Sequence, residues 1–234
     1  MTKIAARNSE GYDCPIGLTA DAVVFTVTDD DLCVLLVRRD DPPSRGRLAL
    51  PGGFVGAGEE PAQTVARKLE EKTGIPPIYL EQLRTYAKPR RDPRGWLPSV
   101  AHLALVPSEL LPDDGRQAAW YPVGSIPALP FDHTAMVEDG LERIRGKLWY
   151  SNIAVGLLPP EFTIAQARRV YEQLAGVVYD PGNFSRDLQA SGLVVETGHT
   201  SAGRVGRPAR LFRFISVEPA WMPRYARSTV SQPG

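Results

Sequence analysis

This chain of 234 residues has little cysteine and no long apolar run, and each shortage removes a class of protein. Cys14 and Cys33 are the only thiols. Two cysteines cannot by themselves build a four-ligand zinc site, and their spacing matches no redox or disulfide pattern, so they read as buried thiols. No stretch approaches the roughly 18 apolar residues of a membrane span, and residues 1–15 lack an apolar core of signal-peptide length. The expectation is a cytoplasmic protein with no membrane partner. Net charge is missing as well: 27 Lys and Arg balance 27 Asp and Glu. That balance hides an asymmetry. Residues 1–150 hold 18 basic and 21 acidic side chains, net −3, whereas residues 151–234 hold 9 and 6, net +3. Lysine is absent from the second part, and all nine of its cations are Arg, the side chain suited to bidentate contact with phosphate and guanine. What remains is ordinary for a globular protein, 43% hydrophobic and 23% charged residues, and the length suits one large or two small domains.

Strand-like patterning comes first in the chain. Ala22-Val23-Val24-Phe25-Thr26-Val27 and Cys33-Val34-Leu35-Leu36-Val37 flank the turn-forming Thr28-Asp29-Asp30-Asp31, which predicts a hairpin. Residues 80–86 and 99–106 read as two further strands, and between them Lys88-Pro89-Arg90-Arg91-Asp92-Pro93-Arg94-Gly95 forms a basic loop. Trp120-Tyr121-Pro122-Val123 and a Pro-rich stretch to Pro130 finish the unit. Strands interrupted by one or two helices give an α+β sandwich.

Leu50-Pro51-Gly52-Gly53-Phe54 carries paired glycines that permit positive φ and close backbone approach, and it leads through a loop into a helix over about 61–73. Phosphate often sits where such loops meet helix N-termini; the alternative is that Gly52, Gly53, Gly56 and Gly58 merely shape a long loop. The spacing from Gly53 through Glu59 to Arg67-Lys68-Leu69-Glu70-Glu71-Lys72-Thr73-Gly74-Ile75 resembles a Nudix box, with Gly53, Glu59, Arg67, Leu69, Glu71, Gly74 and Ile75 on pattern positions. Lys68 and Lys72 stand where the pattern has metal-binding Glu. Sliding the register back by one residue, to use Glu70 and Glu71 as the Glu pair, would put Gly58 at the first Glu position and Ala66 at the Arg position, so the unslipped match is the better one. Residues 68, 71 and 72 share one helix face. Three carboxylates there would carry −3 and hold Mg²⁺ through oxygen, whereas Lys68, Glu71 and Lys72 sum to +1 and lysine offers no acceptor. Glu71 is expected instead to pair with Arg67 or Lys68. No catalytic residue and no metal ligand is therefore assigned.

Residues 132–150 read as a helix with Met136, Leu141, Ile144, Leu148 and Trp149 as its apolar set, either joining two domains or packing on the first. Beyond it, Thr163-Ile164-Ala165-Gln166 is a capping box opening a helix that ends near Gly176. Asp180-Pro181 starts a second helix, stopped by Gly192, with Phe184 and Leu188 facing inward and Asn183, Ser185, Arg186 and Gln189 outward. Two strand-like segments follow, around a tip over 198–208. Two helices and a β-hairpin in that order make a winged helix-turn-helix. In that geometry the second helix enters the major groove, so Asn183, Ser185, Arg186 and Gln189 are the candidates for base edges. Thr200, Arg204, Arg207 and Arg210 on the wing suit phosphate or minor-groove contact. Winged helices also serve as protein-interaction modules, and that reading stays open.

A degenerate Nudix domain followed by a winged helix resembles the Nudix-related transcriptional regulators of bacterial NAD metabolism. The motifs carrying this are Leu48-Ala49-Leu50-Pro51-Gly52-Gly53-Phe54-Val55, Arg91-Asp92-Pro93-Arg94-Gly95, Val155-Gly156-Leu157-Leu158-Pro159-Pro160-Glu161-Phe162-Thr163, Asn183-Phe184 and Gly206-Arg207-Pro208-Ala209-Arg210-Leu211. The resemblance covers about residues 15–216 and implies a Nudix-like α/β/α sandwich with a mixed sheet over 1–135, a connecting helix over 136–150 and a winged helix-turn-helix over 151–217; outside it, residues 218–234 read as a flexible tail. It further implies a homodimeric repressor of NAD biosynthesis or salvage genes on near-palindromic double-stranded operator DNA. ADP-ribose or another NAD-derived metabolite would be the effector, with no cofactor required, held by Arg39, Gly52, Gly53, Glu59, Arg67, Glu71, Arg91 and Arg94. The runner-up is a Nudix hydrolase resembling ADP-ribose pyrophosphatases with an accessory C-terminal domain, and a third reading is a protein-binding scaffold.

Overall fold

The computed structural model describes residues 6–28, 31–74, 79–106, 118–149, 151–201 and 208–216. Ile75, Arg204, Arg207 and the expected tail over 218–234 lie outside them. The chain divides into two compact units, Met1–Arg143 and Ile144–Gly234.

The first unit is built on a mixed sheet. After a short antiparallel pair, β1 (Ala6–Arg7) and β2 (Asp13–Cys14), come β3 (Thr19–Val27), β4 (Leu32–Arg38), β5 (Leu48–Ala49) and β6 (Gly52–Phe54). Helix α1 (Pro61–Thr73) follows, then β7 (Tyr79–Tyr86), β8 (Ser99–Leu105), β9 (Ala118–Pro122) and helix α2 (His133–Lys147). Seven strands join in the order β5-β4-β3-β8-β7, with β6 paired to β3 and β9 to β4. Among the described residues only the β3–β8 pairing is parallel, Thr19 to Phe25 running alongside Ser99 to Leu105.

Every residue of β3 is buried, because both faces of the sheet are covered. Ala20, Ala22 and Val24 pack with Val65 and Leu69 of α1. Val23 and Phe25 point the opposite way, so close to α2 that a Cβ at Gly140 would lie 3.1–3.2 Å from their side chains. This is the helix–sheet–helix sandwich expected from the sequence. Helix α1 occupies 61–73 as expected. Glu60 donates its N–H to Gln63 Oε1 at the start, and Gly74 ends the helix at φ 73°, its N–H returning to the Glu70 carbonyl.

The segment around Gly52 and Gly53 is not a positive-φ turn. Neither glycine adopts positive φ; both lie in β6, antiparallel to β3, with Gly52 opposite Asp21. Of the two reasons for a glycine here, close approach is the one that applies. A Cβ on Gly52 would sit 2.1 Å from Asp21 Oδ1 and 2.5 Å from the Ala20 carbonyl oxygen.

Helix α2 spans 133–147 rather than 132–150, and the division between units falls inside it. In the second unit β10 (Phe162–Thr163) leads into α3 (Ile164–Ala175), followed by α4 (Pro181–Ala190), β11 (Val194–Thr200) and β12 (Arg210–Phe214). The strands form a three-stranded antiparallel sheet, β10-β12-β11, so the expected hairpin gains a third strand. Thr163 and Gln166 form the expected capping box, and Gly176 closes α3 in the left-handed region. At the end of α4 the capping residue is Ser191, with Gly192 one position beyond. Buried Tyr171 and Phe184 meet exposed Trp149 and half-buried Tyr179 in edge-on ring contacts 5.3–5.8 Å between centroids, with a tilted Tyr179–Phe184 pair at 5.5 Å.

Candidate functional site

The exposed face of α1 is a closed ionic cluster. Arg67 forks onto Glu59, its Nε donating to Oε1 at 2.6 Å and its Nη2 to Oε2 at 2.5 Å. Thr64 Oγ1 and the Gly56 N–H also donate to Glu59 Oε2, at 2.8 and 3.1 Å. The Arg67 bonds, then the Thr64 hydroxyl, pull the Glu59 carboxyl from its ordinary 4.5 down to about 2. Glu71 takes both partners expected for it, Arg67 at 3.1 Å and Lys68 at 2.7 Å. Both oxygens of each carboxylate are thus already bonded to protein donors.

Behind β6 lies a cavity of about 380 Å³, lined by Asp21, Arg38, Arg39, Asp40, Asp41, Gly52, Gly53, Phe54, Lys72, Arg91, Asp92, Arg94, Phe131 and His133, with Thr19, Val37 and Leu50. The charged side chains differ in how they are held. Arg91 is almost fully buried and donates to Asp132 Oδ2 at 2.8 Å and to the Leu97 carbonyl at 2.9 Å. Arg94 grips Asp92 through Nε and Nη2, the latter at 2.6 Å, while its guanidinium lies 5.1 Å from the Phe54 ring centroid. Burial alone would raise the Asp92 carboxyl, but the Arg94 bonds outweigh it and hold it below the usual range. Arg39 donates to the carbonyls of Pro43 and Asp41 and stands 5.0 Å over Phe131. Lys72 reaches from the last turn of α1 to donate to the Gly52 carbonyl at 2.8 Å.

The cavity floor carries a buried polar pair. Ser99 donates to Asp21 Oδ2 at 2.5 Å, and His133 Nε2 stands 3.7 Å from Asp21 Oδ1. His133 Nδ1 accepts the Leu50 N–H at 3.0 Å, which requires that nitrogen to be unprotonated. Burial pushes the His133 pKa down, consistent with a neutral imidazole.

Of the residues assigned from sequence, Arg39, Gly52, Gly53, Arg91 and Arg94 line this cavity, whereas Glu59, Arg67 and Glu71 form the ionic cluster on α1 and do not. Asp21, Lys72, Asp92, Phe131 and His133 line it without having been singled out for this role. Asp92 was within reach, since it sits inside the quoted Arg91–Gly95 motif. Asp21 and His133 were not, because only the folded sheet brings residues 112 positions apart together.

In the second unit Asp180 Oδ1 accepts the Asn183 N–H at 2.8 Å, fixing the start of α4. Phe184 and Leu188 are buried, and Asn183, Arg186 and Gln189 are exposed, with Ser185 half-buried. Arg186 extends into solvent beside Asp187, 3.2 Å away. Gln189 folds back to donate to both the carbonyl and the hydroxyl of Ser185 at 3.0 Å. On the wing, exposed Thr200 stands opposite Arg210, which reaches Glu196 at 3.1 Å. His199 meets Glu161 at 3.0 Å, a contact the sequence did not suggest.

Comparison with known proteins fits this arrangement. Residues 17–139 match the model of the NUDIX domain, and residues 154–214 match that of the NrtR DNA-binding winged helix domain. An ADPR-responsive transcriptional repressor of Acinetobacter baylyi is 33% identical over 220 residues, 90% of this chain and 86% of that one. The crystal structure of Shewanella oneidensis NrtR in complex with a 27mer DNA superposes with a TM-score of 0.76 at 37% identity, covering 84% of this chain and 93% of that one. The NUDIX domain of the same Shewanella protein, crystallised with ADP ribose, is 38% identical with a TM-score of 0.52, covering 58% of this chain and 93% of that one.

Proposed function

Because the chain belongs to the NUDIX domain family, in the group that joins this domain to an NrtR-type winged helix, we propose that it is an ADP-ribose-responsive transcriptional repressor of NAD biosynthesis or salvage genes. The winged helix binds operator DNA and the Nudix-like domain binds the effector, whose arrival releases the DNA. The observation that carries the reading is a cavity set about with Arg39, Lys72, Arg91 and Arg94 and with aromatic rings at Phe54 and Phe131. Cations suit a diphosphate and rings suit a base.

The same site binds without cleaving. Hydrolysis would need carboxylates poised for a metal, and Glu59 and Glu71 are instead neutralised by Arg67 and Lys68. The protein acts in the cytoplasm as a homodimer that presents two copies of α4 to a near-palindromic site, with half-site centres about 34–36 Å apart. Gel-shift titration on DNA from upstream of its own gene tests the reading: ADP-ribose should release the bound DNA. In a parallel assay with Mg²⁺ or Mn²⁺ and added phosphatase, ADP-ribose should yield no phosphate. DNA affinity indifferent to ADP-ribose, or turnover near the enzyme median of about 10 s⁻¹, would overturn it.

A further inference from the structure

A Nudix fold implies divalent metal on α1, and the side chains present do not fit one. Mg²⁺ demands near-octahedral oxygen ligands at about 2.0–2.1 Å. The face that should supply them offers the ammonium groups of Lys68 and Lys72, and the carboxylates of Glu59 and Glu71 are bonded on both oxygens. Among the described residues no three His, Cys, Asp or Glu side chains converge as a metal cage.

The two lysines part company. Lys68 is spent on Glu71, with its stem packed over Gly53, whose added Cβ would lie 3.1 Å from Lys68 Cε. Lys72 turns to the cavity, and among the described residues its one hydrogen-bond acceptor is the neutral Gly52 carbonyl. An ammonium has three donors, so two remain for a ligand. The residue as a whole is solvent-exposed, while its charged end is crowded enough by protein that desolvation lowers its pKa, with Lys68 and Arg39 pressing in the same direction and Asp21 and Asp40 opposing. The neighbouring cations differ: Arg91 and Arg94 are compensated by Asp132 and Asp92, whereas Arg39, like Lys72, is bonded to carbonyl oxygens. Lys72 and Arg39 thus face one cavity with no carboxylate bonded to either among the described residues, while Asp21, Asp40 and Asp41 on its wall offset part of their charge.

We propose that the Lys72 ammonium takes the place of the metal: it is a fixed cation that, with Arg39, receives the diphosphate of the effector, so that binding needs no divalent ion. This rests on the effector reading above and deepens it. The substitution of Lys for Glu at position 72 is then a change of cation source rather than a mere loss of catalysis. A covalently attached cation leaves the diphosphate held without a metal-activated water to attack it.

Calorimetry on the full-length protein tests this with ADP-ribose and with inorganic pyrophosphate, each in chelator and in Mg²⁺. The parent should bind ADP-ribose equally well in both conditions. Lys72→Arg should retain binding, and Lys72→Gln should weaken it about tenfold or more in either condition, as expected for loss of a charge-assisted contact. Lys72→Glu, which puts a negative charge where the cation stood, should weaken binding further than Lys72→Gln. Thermal melts establish that each variant is folded, and Lys72→Arg and Lys72→Gln suffice if Lys72→Glu is not. A parent that requires Mg²⁺, or Lys72→Gln binding as tightly as the parent in chelator, overturns the proposal. Pyrophosphate separates the two layers. If ADP-ribose fails to bind but pyrophosphate binds without metal in a Lys72-dependent way, the effector assignment falls and the role of Lys72 stands; if neither binds, both fall.

Discussion

At Gly52 the backbone of β6 passes so close to β3 that one added carbon would collide with Asp21 and with the Ala20 carbonyl. The obstacles are main chain and a carboxylate held by Ser99, so neither can yield cheaply. Gly52→Ala is expected to destabilise the fold by about 1–3 kcal/mol in urea unfolding. Gly53→Ala should cost less, because its neighbour is the flexible stem of Lys68. The ionic cluster on α1 makes a pH-dependent contribution. A carboxyl whose folded pKa lies below its unfolded one adds stability above the unfolded value and loses it as pH falls through the folded value. With Glu59 held at about 2 against 4.5, that loss falls between pH 4.5 and 2. Unfolding midpoints measured from pH 7 to 2 should drop across this window in the parent and be flatter for Glu59→Gln; identical slopes would show that the Arg67 fork contributes nothing. Within one helix such pairings were legible: residues three and four apart on α1 had to be neighbours, and Glu71 does meet Lys68 and Arg67. The Arg67–Glu59 fork was not, because it depends on how the loop from Gly53 to Glu59 turns back over the helix.

Among the elements, α1, α3 and α4 were legible because each carries its own stop and start signals: Gly74, the Thr163–Gln166 box with Gly176, and Asp180-Pro181. The short strands were not. Residues 52–54 became β6 and 162–163 became β10 only because β3 and β12 lie alongside to pair with them, a non-local cause that local composition cannot report. For α4 the consequence is functional. Its inward residues Phe184 and Leu188 are buried, which turns Arg186 outward on a helix anchored by the Asp180 cap. If Arg186 makes a bidentate contact to guanine, Arg186→Ala should lose about 1–3 kcal/mol of operator affinity and relax preference at one base pair. If Arg210, which meets Glu196 on the wing, touches phosphate instead, its signature differs. Arg210→Ala should weaken all sequences alike and lower the salt slope by about one unit. Gel shifts on operator and scrambled DNA at several salt concentrations distinguish the two patterns. Equal effects of both variants on both DNAs would remove α4 from base reading.

For the whole molecule, regulation requires that the two units share free energy. The sequence placed a connecting helix over 136–150 between a net −3 part and a net +3 part. In the structure α2 begins earlier, at His133, and contributes residues to both units, the division falling between Arg143 and Ile144. Through Arg143 the first part of this helix is tied to the sheet, at Glu81 and at the Leu83 carbonyl, and through Arg145 the second part is tied to the Leu174 carbonyl of α3. One continuous helix thus makes polar contacts to each unit two residues apart. A ligand can move a protein between DNA-competent and DNA-incompetent states only by binding one of them better, and such couplings are typically about 1–3 kcal/mol. Linkage then fixes the outcome: operator DNA must change ADP-ribose affinity by the same factor by which ADP-ribose changes DNA affinity. Calorimetric effector affinities with and without operator should therefore differ by about 5–150-fold, matching the shift seen in gel retardation. A flexible Gly-Ser insertion after Gly146 should leave each separate affinity in place and bring that factor toward one, because it interrupts α2 beyond Arg145 while sparing the cavity and α4. Effector affinity identical in the presence and absence of operator DNA would show that the cavity of the first unit does not sense on behalf of the second, whatever each binds alone.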